Sequence, residues 1–235
     1  MKGYIVYEGP SLFDKKPIVA IVTMKSGNEK TGNMAQLWIL RSDIAPHKAV
    51  KTGDDISVCG GCKHRHFSGG SCYVLPFQGP RSVYAAYQRG IYSTDLESLA
   101  RILPDRGVRL GAYGDPAMLP EELLAWLTHY ARFTTGYTHQ WRNKRLAHAV
   151  KYCQGSVDTL QEYQDFKSMY PKGKTFRVAA DDHTEPQEII CKADTDGITC
   201  SECKLCDGKK MDITIKVHGS YASRYESTIN IREVA

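Results

Sequence analysis

The sequence predicts an α/β protein built on a largely parallel sheet. Runs of β-branched residues alternate with amphipathic stretches of helical spacing through the second half of the chain, and glycine or proline separates them. Repeated strand–helix units imply parallel strands joined by right-handed crossovers. The units are too few for a complete eight-unit barrel. We therefore expect a partial or distorted parallel β/α barrel spanning residues 1–235 as a single domain, with a doubly wound sheet as the alternative.

The first three strands are predicted from runs rich in valine and isoleucine. Residues 4–8 and 18–23 are two such runs, separated by a turn at Gly9-Pro10. A polar loop at 25–33 leads to the third strand, 36–40. The chain therefore begins with three closely spaced strands.

The remaining segments alternate between helical and extended patterns. A helix is expected at 82–90, and a second begins at Thr94, where Thr94 and Glu97 have the spacing of a capping box. The further predicted helices are 120–133 and 156–169. The further predicted strands are 108–113, 136–141, 147–153, 175–179, 188–191 and 212–218.

Composition narrows the class of protein. Of the residues, 42% are hydrophobic and 24% are charged, as in globular proteins, and the net charge of +5 is compatible with an anionic partner. No apolar run approaches the roughly 18 residues of a membrane-spanning helix, and the N-terminus has no apolar signal core. We therefore expect no membrane association and a cytoplasmic protein. Eight cysteines in such a chain favour metal or redox chemistry over a disulfide framework.

Four cysteines form a group at residues 191–206. Cys200, Cys203 and Cys206 follow the spacing C-x-x-C-x-x-C, and Cys191 lies nine residues upstream. Ferredoxins of the bacterial type use this spacing to hold three corners of a 4Fe–4S cluster. Structural zinc is also held by four thiolates on C-x-x-C turns, so zinc is the alternative. Disulfides fit less well, because cysteines three residues apart rarely meet disulfide geometry in series.

Three more cysteines form a group at residues 59–72. Cys59 and Cys62 make a C-x-x-C pair, and Cys72 follows after a polar, glycine-containing loop. His64 or His66 in that loop can complete a zinc site of three cysteines and one histidine. Alternatively, the three thiolates hold a 4Fe–4S cluster with one open iron, or both histidines are solvated loop residues.

Polar side chains collect where the predicted strands end. In a barrel these residues converge on one mouth, where a carboxylate and two histidines can perform acid–base chemistry. Asp115, His139 and His218 are therefore the candidate catalytic residues. Singly, Asp115 can merely cap a helix and His139 can be a satisfied buried histidine. The full set at the strand ends is Asp115, His139, Gln140, Arg142, Cys153, Asp181, Asp182 and His218.

Several of these stretches resemble a family of proteins common in bacteriophage and mobile-element genomes, the gene product 88 type, whose barrel is similar to that of radical SAM enzymes. The matching stretches are 28–40, the Cys59, Cys62, Cys72 group with Tyr73, 108–115, 136–141 and 199–206. The resemblance implies an iron–sulfur protein with an α/β barrel-like core, and it makes SAM a candidate cosubstrate. The chain departs from the C-x-x-x-C-x-x-C spacing of radical SAM enzymes at its first cysteine group.

Two functions follow as hypotheses. The first is a redox or radical-type iron–sulfur enzyme, in which Cys59, Cys62 and Cys72 hold a reactive cluster and the second group holds a closed one. The second is a zinc-stabilised protein that binds nucleic acid through basic residues near the cysteines, with tyrosine and tryptophan for stacking. The basic residues of that second hypothesis are Lys63, Arg65, Lys204, Lys209 and Lys210.

Overall fold

A computed structural model describes residues 2–25, 27–180 and 184–230. Its centre is a sheet in which nine strands are described, in the order β1-β2-β3-β4-β5-β6-β7-β9-β8. The strands are β1 Gly3–Pro10, β2 Pro17–Thr23, β3 Ala35–Arg41, β4 Gly107–Tyr113, β5 Phe133–Thr138, β6 Gln154–Val157, β7 Thr175–Ala179, β8 Glu188–Ile190 and β9 Asp212–Lys216.

The sheet is mixed rather than wholly parallel. β1, β2 and β3 pair in antiparallel fashion, whereas every pairing from β3 onward is parallel. The short connections between the first three strands explain this, because a parallel pair needs a crossover of a dozen or more residues. The parallel barrel expected from the sequence is corrected on this point. The sheet is also open, since within the described residues no pairing joins β1 to β8.

Helices lie between the strands in the chain and cover the sheet. Those described are α1 Pro46–Thr52, α2 Ile56–Cys59, α3 Gly79–Gln88, α4 Leu96–Ile102, α5 Glu121–Tyr130, α6 Leu160–Met169, α7 Lys192–Thr195, α8 Cys200–Cys203 and α9 Tyr225–Ile229. The helix starts differ from those predicted by one to four residues, and α3 begins at Gly79 rather than at residue 82. Asp95, not Thr94, caps α4 by accepting from Ser98 N, and α6 begins at Leu160 with Thr159 as its cap.

One predicted strand is wrong. Residues Ala147–Lys151 form a short 3-10 helix, and the strand β6 starts only at Gln154. The backbone there pairs locally, with Tyr152 N and Cys153 N both donating to Ala149 O, so it has no free edge for a sheet. β5 also ends earlier than predicted, at Thr138, because Asp115 accepts from His139 N and turns the chain.

The largest apolar core lies around β1 to β5. Ile18, Ile21, Leu37, Leu40 and Leu110 are at most 1% exposed and pack into it. Burial of side chains on this scale contributes the main stabilisation of such a fold, at roughly 1.5–3 kcal/mol for each large aliphatic residue. Two smaller clusters lie around Trp141 and around Ile213.

One face of the sheet from β4 to β9 borders a cavity instead of a packed layer. Alternate residues of β5, Thr135 and Tyr137, lie on its wall, as do Phe176 and Val178 of β7. Alternate residues of a strand share one face, so this wall is one face of the parallel half of the sheet. Among the described residues, no helix has the length and hydropathy needed to span a bilayer.

Candidate functional site

Both cysteine groups lie at one cavity of about 200 Å³. The loop 59–72 covers one side and the segment 191–206 covers the other. The lining cysteines are Cys62, Cys72, Cys191, Cys200, Cys203 and Cys206. The two groups are about half the chain apart in sequence, and the sheet brings them to the same opening. The cysteine spacings predict each group but not the cavity that the two groups share.

The first cysteine group is held by the loop that follows β5. Cys59 ends α2, and Gly60 follows with a φ of +57°, a conformation that glycine adopts readily. A side chain at Gly60 would meet Gln140 at 2.6 Å. Gln140 Nε2 donates to Cys59 O at 3.1 Å, and Gly61 N donates to Gln140 Oε1 at 3.3 Å. The C-x-x-C turn is therefore pinned to the end of β5.

A buried polar network fastens the same loop to the end of β6. His64 Nε2 lies 3.0 Å from both carboxylate oxygens of Asp158, and His64 Nδ1 lies 2.9 Å from Ser71 Oγ. Lys63 Nζ pairs with Asp158 at 3.0 Å and with Glu162 at 2.7 Å. Burial alone raises the pKa of Asp158, but the His64 hydrogen bond and the Lys63 charge outweigh it, so the pKa is lowered.

The two histidines considered as zinc ligands already have other partners. Both ring nitrogens of His64 are used by Ser71 and Asp158. His66 Nε2 lies 2.8 Å from Val74 O, and its ring contacts Tyr221 edge-on. A zinc site completed by His64 would require one of these hydrogen bonds to break, whereas His66 keeps its Nδ1 available but lies outside the described cavity lining.

The second cysteine group is ordered by a short helix. Thr199 and Glu202 form a capping box at the start of α8, which carries Cys200 and Cys203. Lys204 then turns the chain at a φ of +57°. Cys191 N donates to Thr214 O at 2.8 Å, and Gly136 N donates to Cys206 O at 3.2 Å. The segment is thus attached to β9 and β5.

The thiols interact electrostatically within each group. Burial raises the pKa of Cys72 to about 11, with Arg109 opposing the rise. Burial and then the charges of Cys191, Cys200 and Cys203 raise the pKa of Cys206. Neutral thiols are poor nucleophiles, whereas metal binding deprotonates a thiol outright. Metal ligation is therefore one chemistry open to these half-buried thiols.

The donor set fits a thiolate-bound centre in type. Cysteine thiolates are the ligands of iron–sulfur clusters and of structural zinc. Within the described residues, no three histidine, cysteine, aspartate or glutamate side chains meet at the spacing of a single bound ion. The thiols line a cavity and do not converge on one position that a single ion could occupy.

The three candidate catalytic residues have different positions. His139 and His218 line the cavity, whereas Asp115 is outside its described lining. Asp115 is 5% exposed and accepts hydrogen bonds from Ala117 N, Thr138 Oγ1 and His139 N. Burial lowers the pKa of His139 to about 3, helped by the charges of His64 and Lys63, so its imidazole is neutral at physiological pH. Asp115 thus fixes the backbone at His139 through a hydrogen bond.

His218 follows β9 and is exposed at the cavity mouth. Its ring stacks on Tyr73 with centroids 5.9 Å apart, and its Nδ1 lies 3.0 Å from Lys216 O. Asp181 and Asp182, which were also expected at strand ends, lie outside the described residues. Cys153 is buried, and its Sγ donates to Ala149 O, so it belongs to the core.

Arg109 is a site residue that sequence reasoning missed. It lies on β4 between the two cysteine groups, and its charge lowers the pKa of Cys72, Cys200 and Cys206 against the effect of burial. Its Nη2 donates to the hydroxyls of Tyr73 and Tyr137. The available signal was an arginine inside a predicted interior strand of a parallel sheet, where apolar runs are the rule.

Two basic residues of the nucleic-acid hypothesis are not free surface charges. Lys63 is 4% exposed and paired with Asp158 and Glu162, and Arg65 is 7% exposed and paired with Asp55. Their charges are already used within the fold. Comparison of the chain with models of protein families, with curated proteins and with solved structures finds no match.

Proposed function

We propose that the chain is an iron–sulfur redox or radical-type enzyme. The observation that carries the proposal is the convergence of six cysteines, from both cysteine groups, on one cavity. Thiolates are the ligands that iron–sulfur clusters require, and the second group has the ferredoxin spacing. Membership in the gene product 88 type of phage protein, and a strongly curved, partial-barrel form of the sheet, are parts of the same proposal. The cavity wall along β4 to β9 supports the partial-barrel form.

The two groups have different roles in this proposal. Cys191, Cys200, Cys203 and Cys206 supply four thiolates and hold a closed 4Fe–4S cluster that is structural or relays electrons. Cys59, Cys62 and Cys72 supply three thiolates and hold a cluster with one open iron. A 4Fe–4S cluster supplies one-electron chemistry when bound. Both ring nitrogens of His64 have other partners and His66 lies outside the described cavity lining, which supports an open position at the first group.

The residues around the cavity have roles that do not depend on the clusters. His139 presents a neutral imidazole to the cavity, where it can hydrogen-bond a substrate, and Asp115 fixes its backbone. His218 and Tyr73 form the mouth through which a substrate enters. SAM, the cosubstrate implied by the resemblance to radical SAM enzymes, would bind at the first group.

Metal analysis of anaerobically purified protein tests the proposal. We expect iron and acid-labile sulfide with broad visible absorbance, and loss of part of the iron in both Cys203→Ser and Cys62→Ser. Cys153→Ala is the matched control, since this thiol is buried in the core, and it should keep its iron. A colourless protein that holds zinc instead would contradict the proposal and favour the zinc-stabilised alternative.

A second measurement separates the two groups. Spectra of the reduced protein are recorded with and without SAM. A SAM-induced change that persists in Cys203→Ser and vanishes in Cys62→Ser assigns the reactive cluster to the first group. The reverse pattern assigns it to the second, and no change in either variant or the wild type removes SAM from the proposal.

A further inference from the structure

A second cavity, of about 430 Å³, adjoins the cysteine cavity. It lies between β3, β4 and the start of α3, and no cysteine is among its described lining residues. Asn28, Tyr73 and Arg109 line both cavities and therefore form the wall between them. A molecule bound in the second cavity would lie directly beside the cysteine cavity. Neither the fold nor the cysteine chemistry explains this space.

The lining of the second cavity combines apolar side chains with two cations and several side-chain amides. Trp38, Leu75, Val83 and Ala112 provide apolar surface, and two cations, Lys25 and Arg109, border it. Among the described lining residues there is no aspartate or glutamate. An apolar wall beside positive charge is complementary to a molecule with an apolar body and an anionic group.

Arg109 lacks a carboxylate partner in the part of the chain that the structure describes. Its Nη2 donates to Tyr73 and Tyr137 hydroxyls, which are neutral acceptors. Its Nε and Nη1 have no acceptor among the described residues, and the residue is half-buried. Both can therefore donate to a ligand.

Buried cations elsewhere in the described part of the fold are all paired with carboxylates. Arg41, Lys63, Arg65 and Arg177 are each at most 7% exposed, and each pairs with a carboxylate. A charge removed from water is costly unless it is paired. Arg109 differs from these cations in being half-buried and in having no described carboxylate partner, so it remains available to an anionic ligand.

We propose that the second cavity binds a small organic anion, with Arg109 and Lys25 holding its carboxylate or phosphate group and the Trp38 side binding its apolar body. The identification of this molecule as the substrate rests on the proposed function, because Arg109 also borders the cysteine cavity. Guanidinium groups bind both kinds of oxyanion through paired N–H donors, so the head group is left to experiment.

Calorimetric titration of the purified holoprotein tests the inference with three probes that share one ring. Benzoate carries a carboxylate, phenyl phosphate carries a phosphate, and benzamide is neutral. We expect at least one anion to bind the wild type and benzamide to bind at least tenfold more weakly, as the loss of a charge-assisted hydrogen-bonded pair implies. The anion that binds more tightly identifies the preferred head group.

Variants locate the binding at Arg109. Arg109→Gln should weaken binding of the anion by about tenfold or more, and Arg109→Lys should restore part of it. Arg101→Gln is the matched control, because Arg101 is an exposed residue of α4 outside both described cavity linings and its loss changes net charge equally. Lys25→Gln, a change at an exposed residue, tests the site if Arg109→Gln fails to fold. The inference would be overturned if Arg109→Gln bound the anion as tightly as the wild type, or if benzamide bound as tightly as benzoate. Failure of both anions to bind the wild type would overturn it as well.

The outcome is separable from that of the proposed function. Iron and sulfide are measured on each sample used for titration. Iron without anion binding contradicts only the anion site. Arg109-dependent anion binding by a protein that holds no iron contradicts the iron–sulfur proposal and keeps the site.

Discussion

Replacing Asp158 with Asn should destabilise the protein by about 3 kcal/mol, because the change removes one partner of a buried charge pair. Asp158 and Lys63 have side chains that are 1% and 2% exposed and lie 3.0 Å apart. Breaking a buried pair in this way costs about 3–5 kcal/mol. We take the lower end because Lys63 keeps Glu162 at 2.7 Å.

The assay is urea unfolding at neutral pH under anaerobic conditions, with the free energy of unfolding extrapolated to water. Asp165→Asn is the matched control. Asp165 is also paired with a cation, Arg142 at 3.4 Å, but its side chain is 41% exposed. Exposed pairs contribute about 0–1 kcal/mol, so the control should change stability by less than about 1 kcal/mol.

The reasoning fails if the two variants lose the same small amount of stability. It would also fail if Asp158→Asn lowered the slope of the unfolding curve rather than its midpoint, since that would indicate a change in the denatured or native compactness. Because the network anchors the loop 59–72, metal analysis of Asp158→Asn should also show reduced occupancy of the first cysteine group.

Three further changes separate structural from functional roles. Cys153→Ala should cost about 1 kcal/mol of stability through lost packing while metal content stays unchanged, and a large loss of metal would show that the ligands are wrongly divided. Burial raises the pKa of Asp115 from an ordinary 3.8 to about 6, so the folded state favours its protonated form. Its stabilising contribution is therefore complete below about pH 4 and lost as pH rises through about 6, and urea unfolding across that range should show a slope that Asp115→Asn removes. Gln140→Ala should lower stability by about 1–2 kcal/mol, since Gly61 N and Cys59 O lose their partner, and should lower the metal content of the first group if the C-x-x-C turn depends on that anchor.

Local pattern was sufficient for much of the sheet. The runs at 18–23 and 36–40 are rich in valine, isoleucine and leucine, and the structure places strands over Pro17–Thr23 and Ala35–Arg41. These runs have side chains that pack well on a pleated surface, so neighbouring sequence decides their conformation. The mixed α/β class follows from the same information, as does the parallel pairing from β3 to β9.

Segments decided by distant contacts were not predictable in the same way. Residues 147–153 contain apolar residues at a spacing compatible with a strand, yet His148 Nε2 lies 2.9 Å from Leu119 O and the backbone turns into a 3-10 helix. The sequence places Asp158 in a helix that starts at Ser156, whereas in the structure it directly follows β6 and pairs with a residue 94 positions earlier. Nothing near Asp158 in sequence shows that His64 is its partner.

In the candidate site, too, local sequence predicted some features and distant contacts determined others. The spacing of Cys200, Cys203 and Cys206 is local, and it predicted a thiolate group at that segment. The shared cavity depends on the order of strands in the sheet and on loop conformation, which spacing does not contain. The electrostatic role of Arg109 depends on thiols from both groups, so it could be assigned only in three dimensions.

The position of His139 is explained by the alternation of side chains along β5. Thr135 and Tyr137 line the cavity, and successive residues of a strand face opposite sides of a sheet. His139, two residues beyond Tyr137, continues the same face after the strand ends, and the hydrogen bond from its backbone N–H to Asp115 at 2.8 Å holds it there. A shift of β5 by one residue would turn the cavity-lining side chains to the other face. The pairing of β5 with β4 and β6 therefore determines whether an imidazole reaches the cysteine cavity, and Asp115 acts by keeping that register at its end.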